Sequence, residues 1–122
     1  MAVEKNVRNF QASGSCPIRN VLSRLSEKWP MLVLVTLQAN GKMRFNELQR
    51  AIGDISQRML SVTLRTLVAD GLVLRVAHAE IPPRVEYELT GLGDSLMPHI
   101  NALIGWAQQH FSEVTARRGM AD

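Results

Sequence analysis

The stretch Asp54–Gly71, DISQRMLSVTLRTLVADG, decides how the rest of the chain is read. Ser56 stands where a helix N-cap belongs, its hydroxyl placed to accept one of the N–H groups that a helix start leaves unpaired. Leu60, Leu64, Leu67 and Val68 follow at steps of 4, 3 and 1, the spacing of one apolar helical stripe. Gly71 takes the position where a left-handed C-cap ends a helix. The other face carries Gln57, Arg58, Ser61, Val62, Arg65 and Thr66, and the single carboxylate, Asp70, comes at the far end. A surface helix ordinarily mixes both charges. This face suits contact with an anion.

The neighbouring stretches extend that reading. Upstream, Phe45–Ile52 predicts a short helix, with Asn46 as its cap and Gln49 three residues on completing a capping box. Gly53-Asp54-Ile55 joins the two helices in three residues, as a helix-turn-helix requires. Downstream, Leu72–Ala77 and Arg84–Leu89 predict two strands around the tip His78–Pro83. In the second strand Val85, Tyr87 and Leu89 alternate with Arg84, Glu86 and Glu88. Two helices and a hairpin in this order predict a mainly α fold with a small β-hairpin wing, a winged helix-turn-helix. Its second helix would enter the major groove of double-stranded DNA, and the hairpin would touch the backbone beside it.

Composition sets the outer bounds. A chain of 122 residues with 46% apolar content predicts one folded domain. No apolar run approaches a membrane span, and no basic-then-apolar leader opens the chain, so no membrane partner is expected. One cysteine excludes an internal disulfide framework and points to a cytoplasmic protein. The net charge is +3, unevenly spread. Residues 42–84 hold seven Lys/Arg against four acids, whereas residues 85–116 hold four acids and no Lys or Arg. A basic reading segment followed by an acidic one fits phosphate binding, and equally a solvated surface with chance clustering.

The remaining chain supplies the frame. Residues 1–15 are polar and aperiodic and predict a flexible N-terminal arm. Cys16-Pro17 then starts a helix with Ile18, Val21, Leu22 and Leu25 on one face. Cys16 has two readings. It is a small buried thiol, the usual place for a free cysteine, or a reactive thiolate favoured by the helix start and by Arg19 one turn on. Residues alone favour the first. Glu27–Pro30 opens a second helix that Met31, Leu32, Val33, Leu34, Val35 and Leu37 make apolar almost all round, as a buried central helix would be. Lys42-Met43-Arg44 predicts a short edge strand. Thr90 to about Thr115 predicts one long helix, kinked at Pro98, with Leu92, Leu96, Ile100, Leu103, Ile104, Ala107 and Phe111 on one stripe. Met97 and Trp106 widen that stripe beyond what one small core covers, which predicts a homodimer. The expected organisation is the arm 1–15, a winged helix-turn-helix domain over 16–112 with dimerisation helices at both ends, and a C-terminal tail over 113–122.

Nothing in the chain points to catalysis. There is no Gly-rich phosphate loop, CxxC, HExxH or nucleophile elbow. His99 and His110 lie three helical turns apart, roughly 16 Å, too far to share a metal within one chain. No enzyme activity, cofactor or metal is expected. Two classes remain: a DNA-binding repressor or activator, and a winged helix used only to bind protein. Arg58, Arg65 and Arg84 favour the first, because a protein-binding helix would expose apolar residues and only Val62 qualifies.

Several pieces of the chain together resemble the HxlR family of bacterial transcription regulators. They are Cys16-Pro17, Lys28-Trp29, Arg44–Leu48, Ile55–Ser61, Leu64-Arg65, Gly71–Val73 and Pro82–Tyr87, spread over roughly Cys16 to Trp106. The resemblance implies a dimeric winged helix related to MarR-type regulators, binding an operator close to its own gene. With that fold, DNA contacts are expected by position from Ser56, Gln57, Arg58, Ser61 and Arg65 on the second helix, from Arg44, and from Arg84 at the hairpin unless Arg84 is held in an ion pair with Glu86 or Glu80. The resemblance also implies a dimer built from the terminal helices, through Ile18, Val21 and Leu22 at one end and Leu96, Ile100, Leu103, Ile104 and Ala107 at the other. Several family members sense small electrophiles or oxidants through the cysteine of the Cys-Pro pair, which raises the reactive reading of Cys16 to equal standing with the inert one. One departure is Met43, where many relatives carry a second basic residue.

Overall fold

Met43↔Tyr87 and Arg44↔Glu86 pair a two-residue strand with the hairpin that follows thirty residues later, closing a three-stranded antiparallel sheet around the predicted helix pair. The computed structural model describes residues 17–121, so the N-terminal arm and Cys16 lie outside the described residues. The order is α1 (Pro17–Leu25), α2 (Lys28–Asn40), β1 (Met43–Arg44), α3 (Phe45–Ile52), α4 (Gln57–Ala69), β2 (Val73–His78), β3 (Arg84–Leu89) and α5 (Gly91–Ala121). The strands stand in the order β1-β3-β2.

Local chemistry explains most boundaries. Pro17 opens α1, as a residue without an N–H can at a helix start. Gly41 ends α2 at φ 75°, its N–H donating to the Leu37 carbonyl at 2.8 Å. α2 presents only one buried face, Pro30, Val33, Leu34 and Leu37. The expectation of a helix buried all round is therefore corrected: Leu32 is exposed, and Met31 and Val35 are half-buried. A domain this small has too few elements to surround a helix, and α2 packs mainly against α3, α4, α5 and β3.

The start of α3 also departs from expectation. Its N-cap is Arg44 in extended geometry, not Asn46, and the Glu47 carboxylate accepts the Arg44 N–H at 2.8 Å. β1 runs straight into α3, so the last strand residue is also the cap. Gln49, expected to complete a capping box, instead donates to the Ile55 carbonyl at 3.2 Å and pins the turn.

α4 ends in a Schellman motif. Leu72 N–H donates to the Leu67 carbonyl and Gly71 N–H to the Val68 carbonyl, both at 3.0 Å, with Gly71 at φ 79°. Thr90 then ties this end to the long helix. Its N–H donates to the Leu72 carbonyl at 3.1 Å, its hydroxyl donates to the Gly71 carbonyl at 2.6 Å, and the same oxygen accepts the Gly93 N–H at 3.0 Å. An ion pair from Arg24 of α1 to Asp70 fastens the first helix to the same corner.

One apolar core joins the elements through Val33, Leu34, Leu37, Leu48, Leu60, Leu64, Leu67, Val73, Met97 and Ile100. Two expectations for α5 are corrected. Ile100, expected at a dimer contact, is 5% exposed within the chain's own core, and Leu96 and Ile104 are half-buried against it. The helical step from Met97 through Ile100 to Ile104 faces α2, so that edge of the stripe is already taken. The helix also continues to Ala121, through the stretch expected to be a tail. Ala116, Arg117 and Arg118 favour helix, and a single Gly119 is too weak to stop it.

Candidate nucleic-acid interface

Ser56 adopts extended geometry and its Oγ accepts the Met59 N–H at 3.1 Å, so α4 starts where its sequence says. Leu60, Thr63, Leu64 and Leu67 face the core. Gln57, Arg58, Val62 and Arg65 face outward and are exposed, while Ser61 and Thr66 are half-buried beside them. Between Gln57 and Ala69 there is no acidic side chain. Arg65 Nη2 donates to Ser61 Oγ at 3.3 Å, and the Thr66 hydroxyl donates to the Val62 carbonyl at 3.0 Å. Among the described residues Gln57 and Arg58 have no side-chain partner, so the first turn of α4 presents an uncommitted amide and guanidinium.

The sheet brings a second arginine to this face. Arg75 on β2 pairs with Tyr87 on β3, and together with Ser61, Leu64, Arg65 and Val68 they line a cleft of about 300 Å³ between α4 and the wing. Two guanidinium-bearing residues, Arg65 and Arg75, thus line one cleft. Sequence reasoning counted Arg75 only as charge. The signal was the strand register: Arg75 sits opposite Tyr87, on the face that turns toward the core and α4.

The remaining expected contacts divide. Arg44 is exposed at the junction of β1 and α3, on the row of the sheet that also holds Glu86. Arg84, read either as a phosphate contact or as half of an ion pair with Glu86 or Glu80, is bonded to Glu80 at 3.1 Å, and its Nε is buried without a partner. The tip Ala79–Pro83 brings the Glu80 carboxylate back against the Arg84 guanidinium on β3. Beside it His78 and Glu86 pair at 2.8 Å.

The predicted association surface lies on α1 and α5. Ile18, Val21 and Leu22 of α1 are exposed, as are Leu92, Leu103, Trp106, Phe111 and Val114 of α5. Leu103 is 58% and Phe111 69% exposed, a large apolar outlay for a lone chain. Ala107 is exposed, and it lines a shallow apolar groove with Ile104 and Phe111. Trp106 stacks on His110 with ring centres 4.8 Å apart. His99 lines a cavity of about 390 Å³ between α1 and α5, with Val21, Arg24, Leu92 and Leu96. Among the described residues no three His, Cys, Asp or Glu side chains stand close enough to share a metal. Among the same residues no helix is long and apolar enough to cross a membrane.

Comparison with known proteins agrees with this geometry. Residues 24–115 match the family described as HxlR-like helix-turn-helix. The chain is 41% identical over 103 residues to the uncharacterized HTH-type transcriptional regulator YtfH of Escherichia coli (strain K12), spanning 84% of this chain and 81% of that one. The solved structure of the regulator ytfH from Salmonella typhimurium superposes with a TM-score of 0.78 at 37% identity, over 88% of this chain and 95% of that one. The redox regulator HypR in its reduced form gives a TM-score of 0.75 at 35% identity, over 82% and 98%. These relatives are transcriptional regulators and not enzymes, and the fold they share is the winged helix found here. The chain belongs to the HxlR-like helix-turn-helix family of transcriptional regulators.

Proposed function

We propose that the protein is a homodimeric regulator of the cytoplasm that binds a specific DNA operator. α4 lies in the major groove, and each wing lies along the adjacent backbone. The observation that carries this reading is the outward face of α4: Gln57 and Arg58 uncommitted in the first turn, no acid along the helix, and the Arg65–Arg75 cleft beside it. Arg58 reaches a guanine edge through two hydrogen bonds, worth roughly 1–3 kcal/mol of discrimination. Arg65, Arg75 and Arg44 meet phosphates. The exposed apolar residues of α1 and α5 join two chains, so that two reading helices meet half-sites about 34–36 Å apart. Cys16, the residue before α1, is the candidate sensor of oxidants or electrophiles, supported by the likeness to the redox regulator HypR. Being the chain's one thiol, it forms a disulfide only with another chain or with a small thiol.

The test is a gel shift of the protein on DNA flanking its own gene, against random duplex of equal length. A specific complex that Arg58→Ala weakens far more than the random complex supports the reading. Equal loss on both DNAs reduces Arg58 to a phosphate contact, and no preference for any flanking DNA sinks the assignment.

A further inference from the structure

We propose that Val62 reads the C5-methyl group of a thymine in each half-site. This rests on the DNA-binding reading above and adds to it a particular base feature for a particular side chain.

At 3.6 residues per turn, Leu60, Thr63, Leu64 and Leu67 fix the inward direction of α4. The opposite direction falls among Arg58, Val62, Arg65 and Ala69, all exposed, so Val62 is one of the four outward positions of the helix and the branched apolar one among them. Val62 is 44% exposed there. An exposed valine elsewhere on a surface carries no meaning. This one stands on the outward face of α4, one turn after Arg58 and one turn before Thr66, where it also edges a crevice shared with Trp29 and Pro30. The polar groups beside it are already engaged: the Thr66 hydroxyl on the Val62 carbonyl, and Ser61 with Arg65. At that point the helix therefore offers the groove an isopropyl group held in essentially one rotamer.

An isopropyl group gains nothing against a donor or acceptor, since it strips water from them without replacing the bond. The major groove carries one apolar feature among the four bases, the thymine methyl. One helical turn separates Arg58 from Val62, about 6 Å, so the thymine lies within about two base pairs of the base that Arg58 reads.

The test uses a duplex recovered from a random-sequence library by binding to the wild-type protein. Each symmetric pair of thymines is replaced in turn by deoxyuridine, which removes only the methyl group. Wild type, Val62→Ala and Val62→Ile are titrated on every duplex, with melting curves to confirm that each is folded. Wild type is expected to lose about fourfold per half-site at one position, the scale of one buried methyl group. Val62→Ala should bind the parent duplex correspondingly less well and show no deoxyuridine effect at that position. Val62→Ile should keep the effect. A merely structural role would not cancel one position and spare the rest. If wild type is indifferent to deoxyuridine everywhere, or its sensitivity survives in Val62→Ala, the thymine assignment falls alone. If no duplex is enriched at all, the DNA-binding reading falls and this one with it.

Discussion

Arg75 and Arg84 occupy the two strands of one wing and meet different fates. Arg75 shares a cleft with Arg65, whereas Arg84 is bonded to Glu80 at 3.1 Å. Removing a phosphate contact lowers affinity for every sequence and flattens its salt dependence by about 0.9 per contact on duplex DNA. Arg75→Ala should therefore weaken operator and random DNA alike, with a salt slope shallower by about 1 per subunit. Arg84→Ala should leave the slope unchanged. Titrations across a potassium chloride series separate the two, and the reverse pattern would place the phosphate at the hairpin. Sequence reading chose Arg84 because it borders the turn. It left open an ion pair with Glu80 or Glu86, because the choice depends on how the tip folds, and it could not see Arg75, whose direction depends on strand register. Ser56 and Arg58 were legible because a cap and a 3.6-residue period are local properties.

The joint between wing and long helix tolerates no side chain at residue 93. A Cβ built on Gly93 would stand 2.3 Å from the Leu72 carbonyl oxygen, a backbone atom that cannot swing aside. Gly93→Ala should cost roughly 1–3 kcal/mol or more, as overpacking of a fixed contact does. Gly91, two residues earlier in the same helix, meets nothing within 4 Å, and Gly91→Ala should be neutral or slightly stabilising. Urea denaturation of the two variants checks the pair, and an undisturbed Gly93→Ala would mean that α5 can slide on β2. Nothing in the sequence distinguished these glycines, because the distinction is made by a neighbour some twenty residues away. The same limit explains Asn46: its type suits a cap, but the strand that delivers the chain to α3 ends at Arg44.

For the whole molecule, the sequence showed that α5 is too apolar for one core but not which residues the core would take. Ile100 went inward, while Leu103 and Phe111 remained outside. Leu103→Glu should yield a monomer that keeps its helical signal and loses operator binding. Sedimentation of the wild type at micromolar concentration is the control, and a wild-type monomer would contradict the dimer. Cys16 belongs to this scale as well, since in the proposed dimer a disulfide or a bulky adduct at the residue preceding α1 in sequence would act near the seam between chains. Peroxide or a quinone should change operator binding by wild type and not by Cys16→Ser, and DNA should disfavour the modification at equilibrium if modification weakens DNA binding. Unchanged binding with the thiol fully titrated would move the signal elsewhere. The tie at Thr90 joins two arms of unequal length, α4 and α5. Phe111 lies twenty-one residues beyond it, roughly 31 Å along the helix, while the tip of α4 lies about 20 Å from it. If the tie behaves as a stiff elbow, a tilt of 3° carries Phe111 about 1.6 Å and the reading tip about 1 Å. Under that condition the long helix would be the long arm of a lever, its far-end displacements reaching the tip of α4 reduced in travel and correspondingly increased in force.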